Sequence, residues 1–289
     1  MESTHTPVLP EEILAFVPAS PRIIVDGTLG EAGHSKLFHA KYPEARIIGL
    51  DRDPEMLDRL RPTLGGATWI ELHRKPYRLT PEVLAGRHAD FILLDLGVSM
   101  FHFKGAKRGF SYQDELLDMR LDPDLPLTAA DLLNRKTERE LKLIFQEYGE
   151  ERFAGRIART IFEKRPVHSA QQLAALILAA VPGKGKSGIH PATRVFQALR
   201  IVVNRELEEI EGSIPHLAEV LAPNGRLAII SFHSLEDRCV KHGFRALGRE
   251  RFKILTPKPT MAGEAEVSGN PASRSAKLRV IEKLADSDR

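Results

Sequence analysis

"IIVDGTLGEAGHS", Ile23 to Ser35, runs from a short apolar segment directly into three glycines, Gly27, Gly30 and Gly33. A β-branched apolar run that ends in an acidic residue and a glycine-rich turn is typical of a buried strand in a parallel sheet. In a doubly wound sheet the loop after the first strand lies at the carboxyl edge, where a ligand approaches the main chain, and glycine has no Cβ to block it. The stretch therefore predicts a ligand-binding loop at that edge.

The segments around this stretch extend the pattern into an α/β fold. The predicted strands are 22–26, 46–51, 67–72, 90–96, 226–232, 251–255 and 277–284. Between the fourth and fifth of them, Ala- and Leu-rich segments carry apolar residues at helical spacing, such as Phe153, Ile157 and Ile161. We therefore predict a doubly wound, mostly parallel sheet formed by 1–104 and 201–289, with an inserted all-helical domain, 105–200, and a long loop over 256–275.

Two further predicted strands end in a carboxylate. "RIIGLD" ends in Asp51, eighteen residues beyond Gly33, where the second strand of such folds places an acidic side chain against two ribose hydroxyls. "FILLDL" carries Asp95 at its carboxyl end, where a side chain faces the ligand crevice. Together these features indicate an adenosine-type ligand, although the G-x-x-G-x-x-G spacing differs from that of dinucleotide sites. The alternatives are structural: Asp51 caps a helix that starts near Pro54, and Asp95 is a helix cap or a loop anchor.

Composition excludes several classes of protein. The single cysteine, Cys239, forms no internal disulfide, the N-terminal segment lacks a secretory signal, and no apolar run reaches the length of a membrane span, so we expect a cytoplasmic protein. We expect no metal site, because His233, Glu236 and Asp237 lack a second histidine or a cysteine pair at ligand spacing. Carboxylates at the start of a helix are instead expected to cap it. The oligomeric state is left open.

Basic residues are clustered rather than spread, since the formal net charge is only +3. Arg152, Arg156 and Arg159 fall on one face of a predicted helix, opposite an apolar face. Arg194 and Arg205 flank a second amphipathic helix, Arg200 lies on its polar face, and Arg274 lies in the long loop. We interpret these clusters as phosphate contacts for RNA, the alternative being an ordinary solvated surface.

The longer motifs carry a resemblance to a known family. They are "HTPVL", "DGTLGEAGHS", "LDRDP", "LLDLGVS", "RGFSY", "LDMRLDP", "YGEERFAGRIAR", "HPATRVFQALRIVVNRELEEI", "ISFHSLEDRCVK" and "NPASRSAKLRV". In this order, over nearly the whole chain, they resemble the bacterial 16S ribosomal RNA (cytosine-N4)-methyltransferases. The resemblance implies a class I fold that binds S-adenosylmethionine and methylates the exocyclic N4 of cytosine 1402 in the decoding region. The implied partner is 16S rRNA or the small ribosomal subunit.

The same resemblance implies a set of site residues. The cofactor contacts that it implies are Ala32, Gly33, His34, Asp51, Tyr77, Asp95 and His102. The glycine loop adds Gly30 to this set. Three of them depart from the commonest pattern, which has a second glycine at Ala32, phenylalanine at Tyr77 and glutamine at His102. Asp95 is also the candidate acceptor of an N4 proton. Tyr77, Phe101, Phe103, Phe110 and Tyr112 are candidates for stacking on a flipped base, or else core residues.

Two other functions stay open at this stage. A nicotinamide-dependent oxidoreductase would use the same type of sheet, but the dinucleotide glycine spacing is missing. A non-catalytic RNA-binding or ribosome-assembly protein that retains a cofactor pocket would account for the changes at Ala32 and His102.

Overall fold

The computed structural model describes residues 6–182 and 190–285, which form two compact units. The chain up to Gly97, together with the chain from Leu207 onwards, forms the first unit, and Val98–Glu206 forms the second. The sequence predicts a shorter inserted domain, 105–200, in place of Val98–Glu206. The last strand of the first segment ends at Asp95 and the helical elements begin soon after it.

A seven-stranded, mostly parallel sheet lies in the first unit, as predicted. The strands are β1 (Ile23–Asp26), β2 (Arg46–Asp51), β3 (Ile70–Arg74), β4 (Ala89–Asp95), β5 (Leu221–Ser231), β6 (Phe252–Ile254) and β7 (Lys277–Lys283). Their order is β3-β2-β1-β4-β5-β7-β6. β7 pairs antiparallel with both β5 and β6, and the other pairs of strands in this sheet are parallel. The strand order reverses between β1 and β4, although these two strands are parallel. Doubly wound folds bind their ligands at such a point.

The helices connect these strands or form the second unit. They are α1 (Pro10–Phe16), α2 (Gly33–Lys41), α3 (Pro54–Leu64), α4 (Thr80–Leu84), α5 (Met100–Lys104), α6 (Ala129–Arg135), α7 (Glu138–Glu147), α8 (Ala154–Glu163), α9 (Ala170–Ala180), α10 (Thr193–Asn204), α11 (Glu206–Glu219), α12 (Ser234–Ala246) and α13 (Glu264–Gly269). Short 3₁₀ helices cover Tyr77–Leu79 and Pro271–Ser275. None of the helices in the described residues is long and apolar enough to cross a membrane.

The central strands are buried on both faces. Ile24 and Val25 are adjacent in β1, yet each is fully buried in a different apolar cluster. Because side chains alternate along a strand, this arrangement requires helices on both faces of the sheet, as in other parallel sheets. The second unit has a separate apolar core that includes Phe145, Ile157 and Leu199.

The predicted third strand and the predicted long loop differ from the structure. The third strand is β3, Ile70–Arg74, rather than 67–72, because the Ala67 N–H still closes the turn that ends α3 by donating to Leu64 O at 3.0 Å. The predicted long loop over 256–275 contains α13 and a 3₁₀ helix. α13 is tied to the N-terminal segment, because the Leu9 N–H donates to Glu266 Oε1 at 2.7 Å.

Candidate active site

The glycine loop is attached to the ends of two neighbouring strands. The Gly27 N–H donates to Leu93 O in β4, and the Leu29 N–H donates to Leu50 O in β2, both at 2.9 Å. A Cβ on Gly27 would lie 2.4 Å from Leu94 Cδ2, so packing rather than a ligand requires glycine here. Gly30 is different, since its φ is +50° and the nearest atom to an added Cβ is 3.8 Å away. Gly30 therefore presents open main chain, as a ligand cradle requires.

Ala32 and Gly33 form the turn from this loop into α2. Ala32 is the N-terminal cap of α2, with a left-handed φ of 60°, and it is fully buried. Glycine adopts that conformation more readily than alanine, so this departure from the family pattern falls where glycine is conformationally favoured. Gly33 is the first helical residue. The start of α2 thus lies at the carboxyl edge of the sheet, directly after β1.

Asp51 links β2 to the glycine loop. Its Oδ2 accepts a hydrogen bond from the Gly30 N–H, and its Oδ1 accepts one from the Asp53 N–H, both at 2.9 Å. The helix cap is Asp53, whose Oδ1 accepts from the Glu55 N–H at 3.0 Å. Asp51 therefore does not cap α3, contrary to the structural alternative. Asp51 lies at the carboxyl end of β2, the position at which the ribose hydroxyls are expected.

Tyr77 and His102 lie in different units. Tyr77 is buried in the 3₁₀ helix after β3, and its Cβ lies 3.1 Å from the position of a Cβ on Gly27, so it packs against the glycine loop. His102 belongs to the second unit, where its Nδ1 accepts from the Ser99 N–H at 3.1 Å in the capping box of α5. The cofactor contact expected of His102 stays a prediction.

Asp95 ends β4 and is held by residues that follow β1. Its N–H donates to Thr28 Oγ1 at 2.6 Å, and its Oδ2 lies 3.7 Å from His34 Nδ1. Its Oδ1 is buried and has no hydrogen-bond partner among residues 6–182 and 190–285. The cap of α5 is Ser99, so Asp95 does not serve as that helix cap. A buried carboxylate oxygen without a partner costs free energy, and a role in function is one explanation for keeping it.

Asp26, at the end of β1, is a further carboxyl group at this edge that the sequence argument missed, and it is buried. Its Oδ2 accepts a hydrogen bond from Ser35 Oγ at 2.7 Å. Burial raises the pKa of Asp26 to about 6, and its hydrogen bonds with Ser35 and Thr28 partly oppose this shift. The strand-end pattern that singled out Asp51 and Asp95 applies equally to Asp26 and would have found it.

The pKa of Asp95 is raised in the same direction. Burial raises it to about 6; His34 lowers it, and the negative charges of Asp26 and Glu236 raise it further. A carboxyl group with such a pKa is ionised at neutral pH, yet it is a stronger proton acceptor than an ordinary aspartate. Asp95 thus has the acid–base property expected of a catalytic group.

α12 provides a further polar cluster at the carboxyl end of β5. Glu236 is buried and accepts from the Phe232 and His233 N–H groups at 2.8 and 3.3 Å. Asp237 receives two hydrogen bonds from the buried guanidinium of Arg279, at 2.6 and 3.2 Å. These contacts hold the start of α12 against β7. The sequence predicts that carboxylates at this helix start act as caps, and Glu236 does so in a capping box with His233. The sequence argument did not foresee the contact between Asp237 and Arg279.

The basic residues have unequal surroundings. Arg152, Arg156 and Arg159 are exposed, but α8 begins at Ala154, so Arg152 precedes the helix and was wrongly placed on it. Arg152 lies over the Phe153 ring, and Arg159 pairs with Glu163 at 2.9 Å. In contrast, Arg200 is half-buried and binds both oxygens of Glu206, at 2.9 and 3.0 Å. Its charge is matched within the chain, which makes it a weaker candidate for phosphate.

Arg194 and Arg274 are both exposed. Arg194 donates from Nη1 to Glu150 O at 3.1 Å. Of the aromatic candidates for base stacking, only Phe103 is exposed in the described residues, whereas Tyr112 is half-buried and its hydroxyl contacts Thr193 Oγ1 at 2.8 Å. Tyr77, Phe101 and Phe110 are buried.

The family model of the MraW methylases matches residues 2–284. This chain belongs to the MraW methylase family. Curated relatives named ribosomal RNA small subunit methyltransferase H include one from Trichormus variabilis, 45% identical over 98% of this chain and 93% of its own length. A second, from Treponema denticola, is 43% identical over 98% of each chain, and a third, from a Geobacter species, is 46% identical over 97% of this chain and 98% of its own.

Membership in this family identifies the chain as a methyltransferase. Among solved structures, an rRNA methylase from Streptococcus thermophilus aligns with 95% of this chain and 93% of its own, at 11% identity and a TM-score of 0.45.

Proposed function

We propose that this methyltransferase uses S-adenosylmethionine to methylate the exocyclic N4 of a cytosine in the decoding region of 16S rRNA. The names of the relatives support small-subunit rRNA as substrate. The motifs that resemble the cytosine-N4 family support the base and the atom, and by that resemblance the nucleotide is cytosine 1402. The observation that carries the proposal is the buried, unpartnered Oδ1 of Asp95 at the carboxyl end of β4 in the described structure.

The first unit fits the proposed cofactor. Gly30 presents open main chain beside the Asp51 carboxylate, which would accept hydrogen bonds from the two ribose hydroxyls. The turn through Ala32 and Gly33 and the buried Tyr77 complete the residues that would hold the adenosine part. When bound, S-adenosylmethionine supplies an electrophilic methyl group whose carbon–sulfur bond breaks, leaving its electron pair on sulfur, as the N4 lone pair bonds to carbon.

Asp95 would act on the weak nucleophilicity of the cytosine amino group. The N4 lone pair of cytosine is conjugated into the ring, so the amine is a weak nucleophile until a group accepts one of its protons. An ionised Asp95 accepts a hydrogen bond from N4 and takes the proton that the nitrogen loses when the new bond forms. Because Oδ1 has no partner within the described chain, it accepts this proton without giving up another hydrogen bond.

RNA binding is assigned to the basic clusters, chiefly the exposed Arg152, Arg156, Arg159 and Arg194 of the second unit and Arg274 of the first. Arg200 contributes less, because Glu206 already pairs with it. Exposed arginines bind phosphate by two parallel hydrogen bonds and so fix the position of RNA without reading its sequence.

Nucleoside analysis of small-subunit rRNA, with and without the gene, tests the proposal. We expect N4-methylated cytidine at the decoding region to disappear in the deletion and to return with the wild-type gene. In vitro, labelled methyl transfer to naked 16S rRNA and to assembled subunits identifies the substrate form. A normal modification pattern in the deletion, together with RNA binding but no transfer in vitro, would instead favour a non-catalytic assembly protein.

A further inference from the structure

The His34 side chain is fixed between the N-terminal segment and Asp95. Its Nε2 lies 2.9 Å from Val8 O, and because a carbonyl only accepts, Nε2 carries a hydrogen and donates it. The ring is buried and lies beside Phe38. Its other nitrogen, Nδ1, lies 3.7 Å from Asp95 Oδ2. The backbone of Val8 therefore determines which ring nitrogen points to the carboxylate.

The titratable groups that face Asp95 come from three elements. They are Asp26 at the end of β1, Glu236 in α12 and His34 in α2. Two of them are acidic and oppose ionisation of Asp95, whereas an imidazolium favours it. His34 is thus placed to offset both acidic neighbours at a distance where a single positive charge has a large effect.

We propose that His34 is the positioning residue of this site: as an imidazolium that donates from Nε2 to Val8 O and turns Nδ1–H toward Asp95 Oδ2, it keeps Asp95 ionised as the proton acceptor. This inference rests on the proposed function for its chemistry. In the reaction, one N4 proton passes to Asp95 Oδ1, while the proton on His34 Nδ1 remains on the ring. Afterwards the Oδ1 proton leaves to solvent, and the starting state returns.

The first test uses cofactor-free, full-length protein and measures no activity. The carboxyl carbon of Asp95 is titrated by ¹³C NMR and identified by the signal that Asp95→Asn removes. In His34→Gln the amide donates to Val8 O in place of the ring but brings no charge to Asp95. We expect the titration midpoint of Asp95 to move upward by about one pH unit or more. An unchanged midpoint in a folded variant overturns the inference.

The second test is the pH profile of single-turnover methyl transfer at saturating cofactor. For His34→Gln we expect the acidic limb to shift upward by a similar amount and the wild-type rate to return at high pH. A role in packing alone would lower the rate equally at every pH. His34→Asn, which loses the Val8 contact but keeps a neutral group toward Asp95, should show the same shift because it too lacks the charge.

His39→Gln is the matched control, since His39 belongs to the same helix but stacks on Trp69, with ring centroids 4.2 Å apart. Its profile should superimpose on the wild-type profile. If the wild-type protein transfers no methyl group to small-subunit RNA, the proposed function fails and NMR still decides the His34–Asp95 relationship. If the wild-type protein is active and the acidic limbs of both His34 variants superimpose on its own, this inference alone fails.

Discussion

Gly30 and Asp51 are joined by a hydrogen bond of 2.9 Å from the backbone N–H of the glycine loop to a carboxylate oxygen at the end of β2. The bond connects two features that are twenty-one residues apart in the chain. The same carboxylate therefore shapes the loop and, in the proposed function, binds the ribose. Removal of the Asp51 carboxylate should therefore disturb the glycine loop and weaken binding of the ribose.

Asp51→Ala is expected to weaken binding of S-adenosylmethionine by about one to two decades. A hydrogen bond to a charged acceptor contributes roughly 1.5–3 kcal/mol, and the loop loses its anchor at Gly30 as well. Calorimetric titration measures the change. Asp58→Ala, an exposed aspartate of α3, is the control and should bind the cofactor like the wild type. Equal affinity in both variants would remove Asp51 from the site.

The triple variant Arg152→Ala, Arg156→Ala and Arg159→Ala should weaken RNA binding without changing cofactor affinity. Each lost phosphate contact lowers the slope of log K against log salt by about 0.7–0.9, so the slope should fall by up to about 2–3. The comparison is with Arg59→Ala and Arg61→Ala, two exposed arginines of α3 in the first unit. Identical salt slopes would make these three arginines an ordinary solvated surface.

Asp26 should make the protein less stable as pH rises from about 4 to 6. Its folded-state pKa of about 6 exceeds the ordinary value of 3.8, so in this range the folded state binds more protons than the unfolded state, and stability falls until it levels off above pH 6. Asp26→Asn keeps an acceptor for Ser35 Oγ and removes the charge. We expect a gain of up to about 3 kcal/mol at pH 8 relative to pH 4.

Urea denaturation of both proteins at pH 4 and pH 8 measures this gain as a double difference, which cancels the other titrating groups. Asp90→Asn is a suitable reference, because Asp90 accepts hydrogen bonds from Arg22 and Ile23 at the start of β4. If the free energy of unfolding depends on pH in the same way in Asp26→Asn and the wild type, ionisation of Asp26 does not destabilise the folded state.

The sequence predicts the sheet and part of the site because those features depend on local patterns. Apolar runs that end in Asp51 and Asp95 reveal both the strands and the edge at which they end. Contacts between distant segments carry no such pattern. The bond from His34 to Val8 O uses a main-chain carbonyl, which any residue type provides, and the ion pair of Arg200 with Glu206 depends on how α10 ends.

The wrong prediction that Arg152 lies on α8 has a different cause. Apolar spacing continues through Phe153 into α8, but Glu151 Oε1 accepts the Phe153 N–H at 2.7 Å and holds the chain in a turn before the helix begins. Such a side-chain contact competes with helix formation at the end of a periodic segment. Helix ends are therefore less predictable than helix faces.

Asp95→Asn separates the two roles proposed for this residue. Asparagine keeps the size and one acceptor oxygen but cannot take a proton from N4. We expect cofactor affinity close to that of the wild type and single-turnover methyl transfer that is about a hundredfold or more slower, as expected for loss of a proton acceptor. If Asp95 only held the cofactor, the substitution would raise its KM and leave the rate at saturation nearly unchanged.

The control for this variant lies on the same strand. Asp90→Asn changes an aspartate at the opposite end of β4, where the carboxylate binds backbone N–H groups of Arg22 and Ile23. It should transfer methyl at the wild-type rate. The structure favours the acceptor role for Asp95, because Oδ1 is the carboxylate oxygen that its surroundings in residues 6–182 and 190–285 leave without a donor. A wild-type single-turnover rate in Asp95→Asn would exclude Asp95 from the chemical step and leave it a cofactor contact.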